Sequence, residues 1–167
     1  KSINILEIGC GFGISSMYIA SVINNFPDKK IMYTIIDPIQ NQKKLVDARD
    51  YFLQPYAGVG IYNIKTVLNQ NNCKLNLKEI TSKKFFSKNK KKYDIIFIDG
   101  SYLYEDVLND TIMSNKFLIQ DGLIFHADMY SIVKKKVIND IYKNNKKFIK
   151  IIFDENSKTI TDGTSTF

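Results

Sequence analysis

Four carboxylates, Glu7, Asp37, Asp99 and Asp128, stand at or beside the ends of short apolar runs, and Glu7 leads into three alternating glycines, Gly9, Gly11 and Gly13. An apolar strand that enters Gly-x-Gly-x-Gly and then a helix makes a bend at which backbone, not side chain, faces a ligand. The ligand this predicts is a nucleoside. Loops that seat a pyrophosphate on a helix N-terminus use Gly-x-Gly-x-x-Gly, and the last of those positions here is Ile14. S-adenosylmethionine (SAM) has no phosphate and carries an ammonium, which Glu7 would reach directly or through water. The spacing therefore favours SAM over NAD, with a plain structural turn as the alternative.

The other carboxylates extend the same site. In Thr34-Ile35-Ile36-Asp37-Pro38 the proline keeps Asp37 out of helical geometry and holds its carboxylate at a strand tip, placed to accept both hydroxyls of a ribose; a turn or cap residue is the alternative. Glu79-Ile80-Thr81-Ser82 brings the hydroxyls of Thr81 and Ser82 towards an adenine edge, or makes one of them a helix N-cap. Ile96-Phe97-Ile98-Asp99-Gly100-Ser101-Tyr102 and Phe125-His126-Ala127-Asp128 put Asp99 and Asp128 at neighbouring strand tips. Two carboxylates so placed suit a divalent cation such as Mg²⁺, or a polar cradle for substrate. His126, the single histidine, lies inside an apolar strand and reads as a core residue rather than a base. Cys10 has no histidine beside it and reads as a loop filler, not a nucleophile.

Positioning these groups falls to an alternation of strands and helices. The first strand is followed by a helix from Ile14 to about Phe26, and further β-branched or aromatic runs occur at Ile31–Ile36, Leu75–Ile80, Tyr93–Ile98, Leu123–His126 and Phe148–Phe153. Helical stretches lie between them at about Gln42–Leu53, Val59–Asn71, Tyr104–Leu118 and Ser131–Asn144. The pattern predicts an α/β fold, a doubly wound and mostly parallel sheet with helices on both faces, whose ligands sit beyond the carboxyl ends of the strands. The link Asp154–Lys158 is too short for a crossover helix, so Phe148–Phe153 and Thr159–Phe167 are expected to form an antiparallel hairpin.

A chain of 167 residues is about one domain, and 44% hydrophobic content is enough to give it a core. No apolar run approaches the roughly 20 residues of a membrane span, and no leader is expected before the first strand. Cys10 and Cys73 lack metal-type spacing, so the expectation is a cytoplasmic, reducing location. The net charge of +7 invites a nucleic-acid partner. Placement argues against one: the lysines of 88–92 and 143–147 precede strands and lie opposite the cleft, leaving Lys83, Lys84 and Lys134–Lys136 to approach it.

With these motifs, the chain resembles class I SAM-dependent methyltransferases, and among them methyltransferase family 24. Leu6–Gly13, Ile36-Asp37-Pro38-Ile39-Gln40, Tyr93–Ser101 and Asp121–Phe125 carry the likeness. The resemblance implies a Rossmann-like seven-stranded sheet of order 3-2-1-4-5-7-6, with the last strand antiparallel. It also implies that Glu7, Gly9, Gly11 and Gly13 line the methionine part of SAM, that Asp37 holds the ribose, that Thr81 or Ser82 approaches the adenine, and that Asp99 stands where relatives hold metal or acceptor. Two positions depart from the related pattern. Relatives often have histidine where this chain has Tyr102, and an unperturbed tyrosine, of pKa about 10, is a poor base at neutral pH. They also commonly end strand five with two acidic residues, where this chain has Ala127-Asp128. Asp99 with Asp128 would then bind Mg²⁺ weakly.

The function expected is methyl transfer from SAM to a hydroxyl of a small molecule or sugar, with Asp99, Asp128 and Tyr102 at the acceptor. RNA methylation and a non-catalytic SAM-binding domain are the alternatives. The chain, 1–167, is expected to be a single SAM-binding domain that lacks an N-terminal lid or belongs to a longer protein.

Overall fold

Short runs of isoleucine, tyrosine and phenylalanine favour the pleated, buried strands of a parallel sheet, and in the computed structural model these runs form its centre. The structure describes residues 2–40, 58–68, 71–127, 131–144, 152–154 and 159–161. The strands are β1 (Ile3–Ile8), β2 (Ile31–Ile36), β3 (Cys73–Lys78), β4 (Tyr93–Ile98), β5 (Leu118–His126), β6 (Ile152–Asp154) and β7 (Thr159–Thr161). The helices are α1 (Ile14–Asn24), α2 (Val59–Val67), α3 (Ser82–Phe86), α4 (Tyr104–Phe117) and α5 (Ile132–Asn144), with a 3₁₀ turn at Pro38–Gln40.

Five strands pair in the order β3-β2-β1-β4-β5, all parallel, so the winding reverses between β1 and β4. The register carries function: Ile8 is level with Ile36 and Ile98, Ile36 with Lys78, and Ile98 with His126. Backbone bonds continue one residue further, from Gly9 N to Ile36 O, Asp37 N to Lys78 O, Asp99 N to Ile8 O and Ala127 N to Ile98 O. Gly9, Asp37, Asp99 and Ala127 therefore stand in one row along the carboxyl edge, beside the point where the winding reverses and where open α/β sheets bind ligands.

Each face of the sheet has its own core. Ile5, Tyr33 and Ile35 pack with Ala20 and Ile23 of α1 and Ile64 of α2, whereas Leu6, Ile8, Ile96 and Ile98 pack with Phe85 and Phe86 of α3 and partly buried residues of α4. Asp121 has φ 63, and a Cβ on Gly122 would lie 2.8 Å from Leu118 Cγ, so β5 bulges between its pairing at Leu118 and at Leu123.

Several boundaries differ from the sequence expectation. β3 starts at Cys73 and ends at Lys78, two residues before Ile80, α2 stops at Val67 rather than Asn71, and α3 is an added short helix. Among the described residues the sheet shows five strands in the expected order, and β6 and β7 pair antiparallel with each other, as the short link requires, in a ladder of their own. The expected helix Gln42–Leu53, the start of the Phe148–Phe153 run and the end of Thr159–Phe167 lie outside the described residues.

Candidate functional site

The loop after β1 is a backbone surface. Gly9, Gly11 and Gly13 have φ of 83, 48 and 82, a region other residues enter only with strain. Packing adds a second reason at two of them. A Cβ on Gly9 would lie 2.5 Å from Gly100 Cα and 2.6 Å from Asp99 O, and one on Gly13 would lie 2.7 Å from Gly60 O. The first contact draws the loop against the tip of β4, and the second seats it against the start of α2. Asn63 of α2 adds a bond from its side-chain amide to Phe12 O, 2.9 Å.

Asp37 is buried and holds this loop. Its Oδ2 accepts from the amides of Cys10 (2.9 Å) and Gly11 (3.0 Å), and its Oδ1 accepts from the Ile39 amide (2.8 Å). Gln40 Nε2 adds a long contact to Oδ2 at 3.5 Å, so with about two acceptor positions on each oxygen about one, on Oδ1, remains for a ligand hydroxyl, fewer than the two expected from sequence. Gln40, brought in by the 3₁₀ turn, donates to Gly11 O at 2.8 Å, while its buried Oε1 has no partner among the described residues.

Glu7, at the base of the loop, is fully buried. Its Oε1 accepts from Ser15 (2.8 Å), and its Oε2 accepts from Ser16 (2.6 Å) and from the Tyr33 hydroxyl. Burial pushes its pKa up to about 7 against the three hydroxyl bonds that lower it, and the charge of Asp99 raises it further. Its position ties the first turn of α1 to β2, so in this arrangement it shapes the loop from within.

Thr81 is the N-cap of α3: its hydroxyl accepts from the Lys84 amide at 3.3 Å. Ser82 bonds the buried Asp110 carboxyl of α4, which burial raises to about 6. Both hydroxyls thus have structural partners.

At the tips of β4 and β5 the site is more open. The Asp99 side chain is 27% exposed, and its Oδ1 lies 3.4 Å from Nζ of Lys134, a lysine of α5 whose own side chain is 1% exposed. That ammonium sits 4.7 Å from the centre of the Tyr102 ring, which is largely exposed. Ser101 fixes the intervening loop by donating to Asp106 (2.9 Å) and accepting from the Leu103 amide (3.2 Å). His126 lies nearby, half-buried, with Nε2 3.5 Å from Thr111 Oγ1. The Thr111 hydroxyl already donates to Val107 O, so a bond between it and Nε2 would need the proton on Nε2, and the buried Nδ1 has no partner among the described residues. Burial, then the Lys134 charge, lower the histidine to about 4, so it is neutral at physiological pH and a weak base. Asp128 lies outside the described residues. Among the described residues no cluster of three His, Cys, Asp or Glu is placed to hold a metal ion, and an ammonium already faces Asp99.

Sequence reading missed Tyr33, Gln40 and Gly60, and had Lys134 only as one of three adjacent lysines. Gly58-Val59-Gly60 is a second close glycine pair that hints at a tight approach, and Gln40 lies three residues beyond Asp37. A cavity of about 740 Å³ opens elsewhere, at the amino ends of β1, β2 and β3, remote from the carboxyl-edge row. Among the described residues no helix is long and apolar enough to cross a membrane.

Residues 6–129 match the family described as Methyltransferase domain. No curated protein is significantly similar to the chain in sequence. Among solved structures, CalS11, a TDP-rhamnose 3'-O-methyltransferase of calicheamicin biosynthesis, superposes with a TM-score of 0.54 at 12% identity, over 94% of this chain and 69% of its own. The O-methyltransferase TomG from Streptomyces achromogenes, involved in tomaymycin synthesis and solved with SAM, gives 0.54 at 10% identity, over 89% of this chain and 63% of its own. At such identities the likeness is one of fold. The chain spans between 42% and 70% of the length of the solved structures it matches.

Proposed function

The chain belongs to the class I SAM-dependent methyltransferase domain family, and from that premise we propose that it binds SAM along the glycine loop and methylates a hydroxyl of a small molecule or sugar. The observation that carries this reading is the row of strand tips: a three-glycine backbone surface, the Asp37 carboxylate beside it, and Asp99 across the winding reversal. Gln40 Oε1 next to the loop adds a buried acceptor without a donor among the described residues. The acceptor class follows CalS11 and TomG, which share the fold. We also read residues 1–167 as one domain in which the β6–β7 hairpin extends the sheet in the order 3-2-1-4-5-7-6.

When bound, SAM supplies an electrophilic methyl group on its sulfonium. The work of the chain is then alignment. Asp37 locks the loop amides and offers its remaining acceptor position to the ribose. Glu7, held by Ser15, Ser16 and Tyr33, keeps α1 and the loop in register. Asp99 would face the acceptor and take the hydroxyl proton on its carboxylate, passing it on to water, while bound SAM would supply the methyl group to the acceptor oxygen. Asp128 is proposed to flank it. Thr81 and Ser82 would serve the adenine only through the turn that their bonds to α3 and α4 fix.

Calorimetry tests the cofactor. SAM should bind saturably and NAD should give no heat, and Asp37→Asn should weaken SAM at least about tenfold, since a bond to a charged acceptor contributes about 1.5–3 kcal/mol. Tight NAD binding without SAM binding sinks the reading. An acceptor screen tests the rest: transfer that requires a polynucleotide and falls with salt moves the substrate to RNA, and SAM binding with no transfer to any hydroxyl leaves a non-catalytic domain.

A further inference from the structure

Three consecutive lysines open α5, yet they have different fates. Lys135 and Lys136 are exposed, as helix-surface lysines usually are, while Lys134 is fully buried. A buried ammonium is costly unless it is paired, and around this one stand Asp99 Oδ1 at 3.4 Å, the face of the Tyr102 ring at 4.7 Å, and His126, kept neutral in part by its charge. Asp106 accepts from Ser101, and Asp140 accepts from Tyr104 with Lys136 beside it.

We propose that Lys134 supplies, as a fixed ammonium against Asp99, the positive charge that a divalent cation would otherwise bring to the acceptor end of the cleft. The proposal rests on the reading above in which Asp99 faces the methyl acceptor. A cation bound to Asp99 would need its oxygens at about 2.0–2.1 Å for Mg²⁺, beside the ammonium that already lies 3.4 Å from Oδ1, and two cations sharing one carboxylate repel each other. The ammonium does what such an ion would do here. It holds in place the carboxylate that takes the acceptor's proton, and the Tyr102 ring covers it from solvent. Lys134 thereby becomes a positioning residue for Asp99, and no divalent cation is needed to fix that carboxylate.

The test uses Mn²⁺ alone as probe on the full chain, followed by electron paramagnetic resonance, with Lys134→Gln, Lys134→Met and Asp99→Asn. Circular dichroism selects whichever lysine variant keeps the fold. Removing the ammonium should create Mn²⁺ affinity about tenfold or more above that of the unaltered chain, and adding Asp99→Asn to the same variant should abolish the gain. The proposal is overturned if the unaltered chain binds Mn²⁺ as tightly as the lysine variant does, or if a folded lysine variant gains no Mn²⁺ binding. SAM calorimetry on the same samples keeps the two readings apart. Loss of SAM binding by the unaltered chain removes the proposed cofactor site, whereas the Mn²⁺ comparison decides the lysine.

Discussion

The two halves of the carboxyl edge are built differently. On the side of β1, β2, α1 and α2, almost every polar group has an internal partner: Asp37 takes three amides, Glu7 takes three hydroxyls, and the glycines lie within a Cβ radius of neighbouring backbone. On the side of β4, β5, α4 and α5, Asp110, Ser114 and His126 carry buried atoms without a partner among the described residues, against Gln40 Oε1 on the first side. The first half is fixed from within. The second keeps unused polar capacity, which is where a varying acceptor would be recognised.

The sharpest way to break this contrast is to disturb the half fixed from within. Gly9→Ala forces a Cβ into the space of Asp99 and Gly100 at a φ of 83, and should destabilise the fold by about 3 kcal/mol or more, read from urea unfolding. A loss under about 1 kcal/mol would mean that the loop yields easily and that the two halves do not differ as described.

A smaller effect comes from Glu7. Its folded pKa, raised to about 7 from 4.5, means that between those values the folded chain binds a proton the unfolded chain has released. Stability therefore falls as pH rises through this window, by at most about 3 kcal/mol. Glu7→Gln keeps an acceptor for the hydroxyls and removes the titration, so its unfolding free energy should gain on the unaltered chain between about pH 5 and about pH 8. Equal slopes in the two proteins would show that Glu7 is solvated, contrary to its burial.

The smallest effect is expected in the open half. Tyr102→Phe preserves the ring over Lys134 and should change stability by no more than about 0.5 kcal/mol. Once an acceptor is in hand, it should leave the transfer rate unchanged. A large loss of rate with unaltered stability would make the hydroxyl a proton acceptor and take that role from Asp99.

By itself the sequence determined the positions of the strand tips. A six-residue apolar run that ends in Glu7-Ile8-Gly9, Asp37-Pro38 or Asp99-Gly100 can only present those residues at the carboxyl edge of a parallel sheet, and register then aligns them. The glycine spacing likewise favoured a nucleoside without a pyrophosphate before any coordinates. Tertiary structure decided which way each polar group faces. Glu7 turns inward because Tyr33, from the neighbouring strand and two positions off in register, meets it with a hydroxyl. Thr81 caps a helix too short to show a period, and α2 reaches the loop only because both Gly13 and Gly60 lack a Cβ. Lys134 differs from its two neighbours by 100° steps around a helix, a difference that has no meaning until α5 is docked beside Asp99 and Tyr102. Local spacing fixes where the backbone brings a residue. The partner that satisfies a buried charge comes from a distant segment, and only packing selects it.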